Sequence, residues 1–266
     1  MATPPRLNPV TVLTPVHGSQ LSAKVVRHLL ALVQREHLVP GDTVPSEVQI
    51  GRELQISRGI VREAYRALAA LGILEIEGGR RPRLRVIDAQ VLTEFFDYAL
   101  TTSQVTLAHV LETRRALEIQ TAQLAARYAS DAQRRLLREL VAQMRSAGAD
   151  HARRVASDMA IHNVIAEASG NPLNSLVLGA LRAPVEESSR MHFQDSRGAD
   201  ELTRVIDAHE AVVDRICAGD SLGAASAMSC HFDLALVHVI RQDRARQEER
   251  NAEAGAAPAG GMRILT

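Results

Sequence analysis

The sequence contains little cysteine and no long hydrophobic run. Its 266 residues include two cysteines, Cys217 and Cys230, at a spacing typical of neither a disulfide nor a metal site. Both lie in helical patterns, so we interpret them as reduced packing residues, as expected in the cytosol. No apolar run reaches the roughly 18 residues of a transmembrane helix, and no basic segment followed by a hydrophobic one indicates a signal peptide. We therefore expect a cytoplasmic protein with no membrane partner.

The chain has no net charge, but its charges are unevenly distributed. Residues 1–88 contain 12 Lys and Arg against 8 Asp and Glu, whereas residues 89–266 contain 19 against 23. The length is typical of two domains, each able to bury a core of its own. A small basic domain joined to a larger acidic one fits a DNA-binding domain coupled to a domain that does not bind DNA.

Three helical patterns open the first part of the chain. Apolar residues recur at three- to four-residue spacing over 21–37, and a Pro-Gly turn ends that helix. Ser46, with Gln49 three residues later, predicts a capping box at the start of the second helix. Ser57 predicts the start of the third helix, and Gly72 its end. A short second helix followed by a longer third one is typical of a helix-turn-helix.

Two strand patterns follow, 73–77 and 84–87, and they predict a hairpin that completes a winged helix-turn-helix. Its tip contains Gly79. The tip and the second strand carry four arginines: Arg80, Arg81, Arg83 and Arg85. The sequence indicates no folding role for them, whereas beside a duplex they would neutralise phosphates or enter the minor groove.

The start of the third helix presents side chains that suit DNA reading. Ser57, Arg58 and Gly59 come first, and Arg62 follows one turn later. Arg makes bidentate contacts with guanine in the major groove. Gly lets the backbone approach closely, at a cost of roughly 1 kcal/mol in helix propensity. The alternative is an exposed helix face whose arginines are simply solvated.

The run 39–76, with PGD, PSE and SRGIVREA in that order, resembles the GntR family of bacterial regulators. The resemblance implies DNA contacts from Arg58, Gly59, Arg62 and Gly79. The chain departs from the family at Val48, where many relatives place a DNA-contacting Arg. We therefore leave Val48 out of the site and expect altered contacts there. Because one recognition helix reads few base pairs, we also expect a homodimer on an inverted-repeat operator.

The rest of the chain has helical patterns almost throughout. They cover about 88–100, 104–128, 130–147, 151–169, 172–193, 199–218 and 220–246. We therefore predict a mostly α protein, with a winged helix-turn-helix at 18–88 and an all-helical antiparallel bundle of about seven helices at 89–246. The Pro/Thr-rich segment 1–17 and the Gly/Ala-rich segment 247–266 are expected to be disordered tails.

Four polar residues interrupt apolar helix ridges in the predicted bundle. They are Asp158 and His162, one turn apart, His209 and His231. Ridges that face one interior would bring a carboxylate and three imidazoles together, a donor set for a divalent ion such as Zn, with Ni or another first-row ion as alternatives. For any one histidine the alternative is a hydrogen-bonded core residue. His238, two turns beyond His231, is a spare ligand.

Arg114 lies on another apolar ridge of the predicted bundle, so its side chain is drawn inward. A guanidinium matches a carboxylate in fork geometry, which makes Arg114 our candidate clamp for an effector carboxylate. The alternative is an ion pair inside the bundle with an acid such as Glu118.

Three segments, 111–126, 158–174 and 207–231, resemble the FCD ligand-binding domain of the FadR-like branch of GntR regulators. The resemblance implies that the Asp and the three His bind a divalent metal, and that the effector is a small organic or sugar acid. It also supports the clamp role of Arg114. We predict a repressor of a carboxylate or sugar-acid catabolic operon that its effector releases from DNA, and not an enzyme.

Three other functions fit parts of the sequence. An enzyme would use the metal to activate water, but no further acid, base or nucleophile completes a hydrolytic site. A DNA-binding protein with a purely structural metal would close the four-coordinate site and leave no place for an effector. An acyl-CoA sensor would need the bundle interior, which the four candidate ligands fill.

Overall fold

The computed structural model of the chain describes residues 20–148, 150–186 and 199–237. Residue contacts divide the chain into two compact units, Met1–Val91 and Leu92–Thr266. Both predicted tails and His238 lie outside the described residues. Within the described ranges, no helix is long and apolar enough to cross a membrane.

Three helices and a two-stranded ribbon form the first unit. Their bounds are Gln20–Arg35 for α1, Glu47–Leu54 for α2, Arg58–Ala70 for α3, Leu74–Glu75 for β1 and Arg83–Leu84 for β2. The apolar faces of these elements meet in one core, which includes Val25, Leu29, Ile50, Val61, Tyr65, Leu68 and Leu74. Burial of these faces holds the short helices in place, since helices of this length are marginal alone. The predicted winged helix-turn-helix is confirmed.

Local chemistry sets the turn between α2 and α3. Oγ of Ser46 accepts from the N–H of Gln49, and Oε1 of Gln49 accepts from the N–H of Ser46, so the predicted capping box is confirmed. Gln55 ends α2 in the left-handed region, at φ 55°. Gly51 lets the backbone of the turn at Ile56 lie close to α2, because a Cβ on Gly51 would lie 3.1 Å from the carbonyl oxygen of Ile56.

The strands of the wing are shorter than predicted, and a third segment pairs with the second strand. β1 and β2 pair antiparallel over two residues each, instead of over the predicted spans 73–77 and 84–87. Pro82 precedes β2, and its backbone faces the segment around Val44 instead of β1. The carbonyl of Pro82 accepts from the N–H of Val44 at 2.9 Å. The segment around Val44 therefore runs beside β2, which the sequence did not reveal.

The described residues of the second unit form eight helices. Their bounds are Gln90–Thr101 for α4, Leu107–Tyr128 for α5, Asp131–Ser146 for α6, His151–Ala168 for α7, Pro172–Ala180 for α8 and Ala199–Cys217 for α10, while the described parts of α9 and α11 are 182–186 and 221–237. The predicted all-helical architecture is confirmed. The ends of the predicted helices 172–193 and 220–246 lie outside the described residues.

The prediction of one helix over 172–193 is wrong, because the chain turns at Leu181. In an unbroken helix the ring of Pro184 would clash with the carbonyl of Ala180, four residues earlier. Restarting at residue 182 places Pro184 in the first turn of α9, where a missing N–H leaves no hydrogen bond unmade. This break accounts for eight helices instead of seven.

One apolar core holds the second unit together. α7 packs against α5, α6 and α8, while α10 packs against α5 and α6. Small side chains let α5 approach its neighbours closely: Ala122, Ala125 and Ala126. The face of α7 that points inward carries Val155, Met159 and Ile165. Asp158 and His162 lie on this same inward side, so the packing of apolar neighbours decides where two polar side chains are buried.

Candidate metal centre and nucleic-acid interface

Asp158, His162, His209 and His231 meet in the interior of the second unit. The first two project from the same face of α7 because they are four residues apart, while α10 supplies His209 and α11 supplies His231. None of the four is more than 8% exposed. Each offers one donor atom, and these atoms all lie within 4.8 Å of one another. The structure thus gathers the four residues that the sequence singles out.

His209 is held at both ring nitrogens. Its Nδ1 lies 2.8 Å from the carbonyl oxygen of Val205, and its Nε2 lies 2.7 Å from Oδ1 of Asp158. Both contacts favour the protonated ring, in which each nitrogen donates one hydrogen bond. Burial alone would lower the pKa of His209, but the hydrogen bond and negative charge of Asp158 outweigh burial and raise the pKa above its ordinary value.

Glu118 on α5 connects the cluster to Arg114. Its carboxylate is completely buried, with one oxygen against Nδ1 of His162 and the other against the guanidinium of Arg114. Burial would raise the pKa of Glu118, but the charges of Arg114 and His162 outweigh burial and hold that pKa below its ordinary value. An ionised Glu118 accepts a hydrogen bond from Nδ1–H of His162, so Nε2 is the nitrogen that this ring presents to the cluster. That Nε2 lies 3.8 Å from Oδ1 of Asp158.

His231 is a neutral imidazole. Burial and then the neighbouring charges of His209 and His162 lower its pKa well below the ordinary value. Its ring centroid lies 4.2 Å from that of His209 and 5.2 Å from that of His162. Nδ1 of His231 is buried and has no hydrogen-bond partner among the described residues. A neutral ring packed against two others fits a metal ligand better than a core histidine, which would satisfy its nitrogens.

Arg114 is 5% exposed and lies beside this cluster. It forms the ion pair with Glu118 that the sequence analysis gives as the alternative to a ligand clamp. Its Nε is nevertheless buried with no hydrogen-bond partner among the described residues. Its Cζ lies 5.7 Å from the ring centroid of Phe232, and that ring lies 5.4 Å from the ring of His231. Glu118 therefore does not saturate the donors of Arg114.

The first turn of α3 leaves its polar groups exposed. Ser57 occupies the N-cap position, but its side chain makes no capping hydrogen bond, contrary to the predicted cap. Arg58 and Gly59 are exposed beside it. A Cβ on Gly59 would meet nothing within 4 Å, so the fold itself does not require glycine there. Arg62 is also exposed, and its Nε lies 3.3 Å from Oε2 of Glu47.

The wing arginines have folding contacts that the sequence did not indicate. Three of the four bond within the protein: Arg80 to Glu77, Arg83 to the carbonyl of Gly41 and Arg85 to Asp88. Arg81 is exposed, and no ion pair forms on it within the described part of the chain. Gly79 has φ 77°, a conformation that glycine adopts without strain. The exposed pairs are worth little energy, so they do not prevent contact with a phosphate.

Comparison with known families assigns both units. The model of the bacterial regulatory proteins of the gntR family matches residues 21–83, and the FCD domain model matches residues 109–234. The chain belongs to the GntR family. It is a DNA-binding transcriptional regulator with an FCD domain, and the prediction that it is not an enzyme is confirmed by the family and its relatives.

Curated relatives of this GntR regulator carry similar descriptions. It is 28% identical to the HTH-type transcriptional regulator LutR of Bacillus subtilis over 209 residues. This match covers 76% of this chain and 93% of LutR. It is also 28% identical to the HTH-type transcriptional repressor NanR of Cronobacter sakazakii over 222 residues. That match covers 82% of this chain and 85% of NanR. The solved structure of Streptococcus agalactiae GntR has the same fold, with a TM-score of 0.60 and 24% identity over 82% of this chain and 99% of that one.

Sequence reasoning missed the central position of Glu118 in this GntR regulator. It considered Glu118 only as a partner for Arg114, because the ridge pattern of one helix does not show which histidine the next helix brings to it. The available signal was an acidic residue on an otherwise apolar ridge, one turn after Arg114. The same signal identified Asp158.

Proposed function

We propose that this GntR regulator is a cytoplasmic repressor that a small organic or sugar acid, bound at a divalent metal centre, releases from its operator. The observation that carries the proposal is the cluster of four buried donor atoms within 4.8 Å, next to an arginine whose Nε has no hydrogen-bond partner in the described part of the chain. A purely apolar core would contain neither. The names of the relatives, a regulator and a repressor, support the direction of the response. We also propose that this regulator belongs to the FadR-like branch of the family.

Asp158, His162, His209 and His231 would hold the ion. One carboxylate and three imidazoles suit Zn, with Ni or another first-row ion as alternatives. The carbonyl of Val205 and the carboxylate of Glu118 would accept hydrogen bonds from Nδ1–H of His209 and His162, which fixes the ring orientation as outer partners of metal-bound histidines do. A divalent ion held by these four residues would act as a Lewis acid that attracts a carboxylate oxygen.

The charge of the centre selects an anionic effector. Asp158 and Glu118 are negative and Arg114 is positive, so a divalent ion with neutral histidines leaves the buried site with a net positive charge. A buried site is most stable when its charges are compensated, and one carboxylate achieves this. Arg114 supplies the directional contact through its unpartnered Nε, while the ring of Phe232 packs against the guanidinium.

The exposed start of α3 and the wing would read the operator. We propose that Ser57, Arg58, Gly59 and Arg62 contact base edges in the major groove, while Gly79, Arg80 and Arg81 contact the backbone or the minor groove. A homodimer on an inverted repeat doubles the number of base pairs read. The effector must bind the DNA-bound and DNA-free forms with different affinity, because only such a difference shifts the equilibrium.

Thermal-shift measurement on the Zn-loaded protein tests the effector class. We expect at least one acid in a panel of small organic and sugar acids to raise the melting temperature, while the matched neutral alcohols and amides leave it unchanged. His231→Ala should remove the shift. If no acid stabilises the loaded protein, or if acids stabilise His231→Ala equally, an effector bound at the metal is refuted and a purely structural metal becomes the better account.

A further inference from the structure

The surface around the start of α3 contains a groove that is lined by both apolar and polar side chains. The groove has a volume of about 250 Å³ and is lined by Val48, Gly51, Arg52, Ile56, Ser57 and Arg58. Val48 on α2 is 36% exposed, and Ile56 forms the buried end of the turn. Gly51 also lines the groove, and a Cβ there would lie 3.1 Å from the carbonyl oxygen of Ile56.

The position of the groove limits what can fill it. Ser57 and Arg58 line it and are also the first residues of the helix assigned to the major groove, so DNA at those side chains also lies over Val48. Two flanking arginines, Arg52 and Arg58, favour a polyanion at this surface. The apolar group that bases present in the major groove is the C5-methyl of thymine.

We propose that Val48 is a specificity-determining residue that contacts the methyl group of a thymine next to the base read by Arg58. The contact is apolar, so it discriminates by removing a methyl group and a valine side chain from water. Loss of one buried methyl corresponds to about a fourfold change in affinity. Val48 then contributes to base preference without any charge, and the proposal rests on the DNA-reading role of Ser57 and Arg58.

The test uses the full-length protein and duplexes that it selects from a random-sequence pool. In the tightest-bound duplex, each thymine is replaced singly by uracil, which removes only the methyl group. We expect one thymine in each half-site at which uracil lowers the affinity of the wild type about fourfold. The same replacement should have no effect on Val48→Ala, whereas Val48→Thr, which keeps a methyl group, should retain part of the discrimination.

Two controls make the result decisive. Val237→Ala, an exposed valine on α11, should behave as the wild type with every duplex. The proposal is overturned if no uracil replacement separates wild type from Val48→Ala, or if Val48→Ala weakens thymine and uracil duplexes equally. The same series with Arg58→Ala tests the reading surface itself. If Arg58→Ala relaxes base preference but no thymine depends on Val48, the reading helix stands and only the Val48 contact fails.

Discussion

Nε2 of His209 lies 2.7 Å from Oδ1 of Asp158, so a proton joins two atoms that are candidate ligands of the same ion. A metal can take both atoms only if this proton leaves. We therefore expect Zn²⁺ binding near pH 7 to release protons, so the heat of binding should differ between buffers of different ionisation enthalpy. Titration calorimetry in two such buffers measures the number of protons. Binding with no buffer dependence would contradict this arrangement.

Loss of one ligand provides the matched test of the metal centre. His231→Ala should lower Zn²⁺ affinity strongly, because it removes the neutral, buried donor of the cluster. His37→Asn is a suitable control, since His37 is exposed in a turn at φ 53°, a conformation that Asn tolerates. Competition with a chromophoric chelator measures both variants. Equal affinity of His231→Ala and wild type would place the metal elsewhere.

Glu118 should act on the metal without touching it. In Glu118→Gln the contact to His162 loses its charge, and we expect the affinity for Zn²⁺ to fall about 10- to 100-fold. The variant also leaves the buried guanidinium of Arg114 without its counter-charge, so the metal-free protein should lose stability in urea unfolding. Glu112→Gln, an exposed change on the same helix, is the control. Unchanged affinity in Glu118→Gln would remove Glu118 from the account of the centre.

Gly59 should show opposite effects on stability and on DNA binding. A Cβ there meets nothing within 4 Å, so Gly59→Ala should stabilise the free protein by about 0.5–1 kcal/mol through helix propensity. If the backbone at Gly59 approaches DNA closely, the added methyl should weaken operator binding. Urea unfolding and a binding titration on the selected duplex measure the two effects. A variant that is more stable and binds DNA equally well would take Gly59 out of the interface.

Arg58 and Arg81 should affect DNA binding in different ways. Arg58→Ala should cost about 1–3 kcal/mol and relax base preference at one position, because we propose that Arg58 reads a base edge. Arg81→Ala should weaken binding to all sequences similarly and reduce its salt dependence by about one phosphate contact. Arg153→Ala, on the exposed face of α7, is the control. An altered base preference in Arg81→Ala would mean that the roles are assigned wrongly.

Local sequence chemistry predicted those parts of the fold that depend on neighbouring residues. The capping box at Ser46 and the shared face of Asp158 and His162 both follow from spacings of three or four residues along one helix. The sequence also indicated that His209 and His231 face inward, since each interrupts an apolar ridge. Polar residues that face the same small core must lie close to one another, so the clustering of these four side chains was predictable.

The parts that the sequence could not predict depend on contacts between distant segments. Val44 pairs with Pro82, and Glu118 contacts His162, across separations that no periodicity reports. The contact of Arg83 with the carbonyl of Gly41 was missed for the same reason, whereas the pair of Arg85 with Asp88, three residues later, was overlooked. The break before Pro184 differs, because its cause lies in the sequence and was overlooked inside a strong helical pattern.

Operator release by the effector, with and without His231, tests the central claim most directly. The protein is bound to the duplex it selects, loaded with Zn²⁺ and titrated with the acid that gives the largest thermal shift. We predict that wild type leaves the duplex, that His231→Ala binds the duplex normally but no longer responds, and that Arg114→Ala keeps its metal and responds only at higher acid concentration. Release of His231→Ala at the wild-type acid concentration would contradict a response that depends on the metal centre.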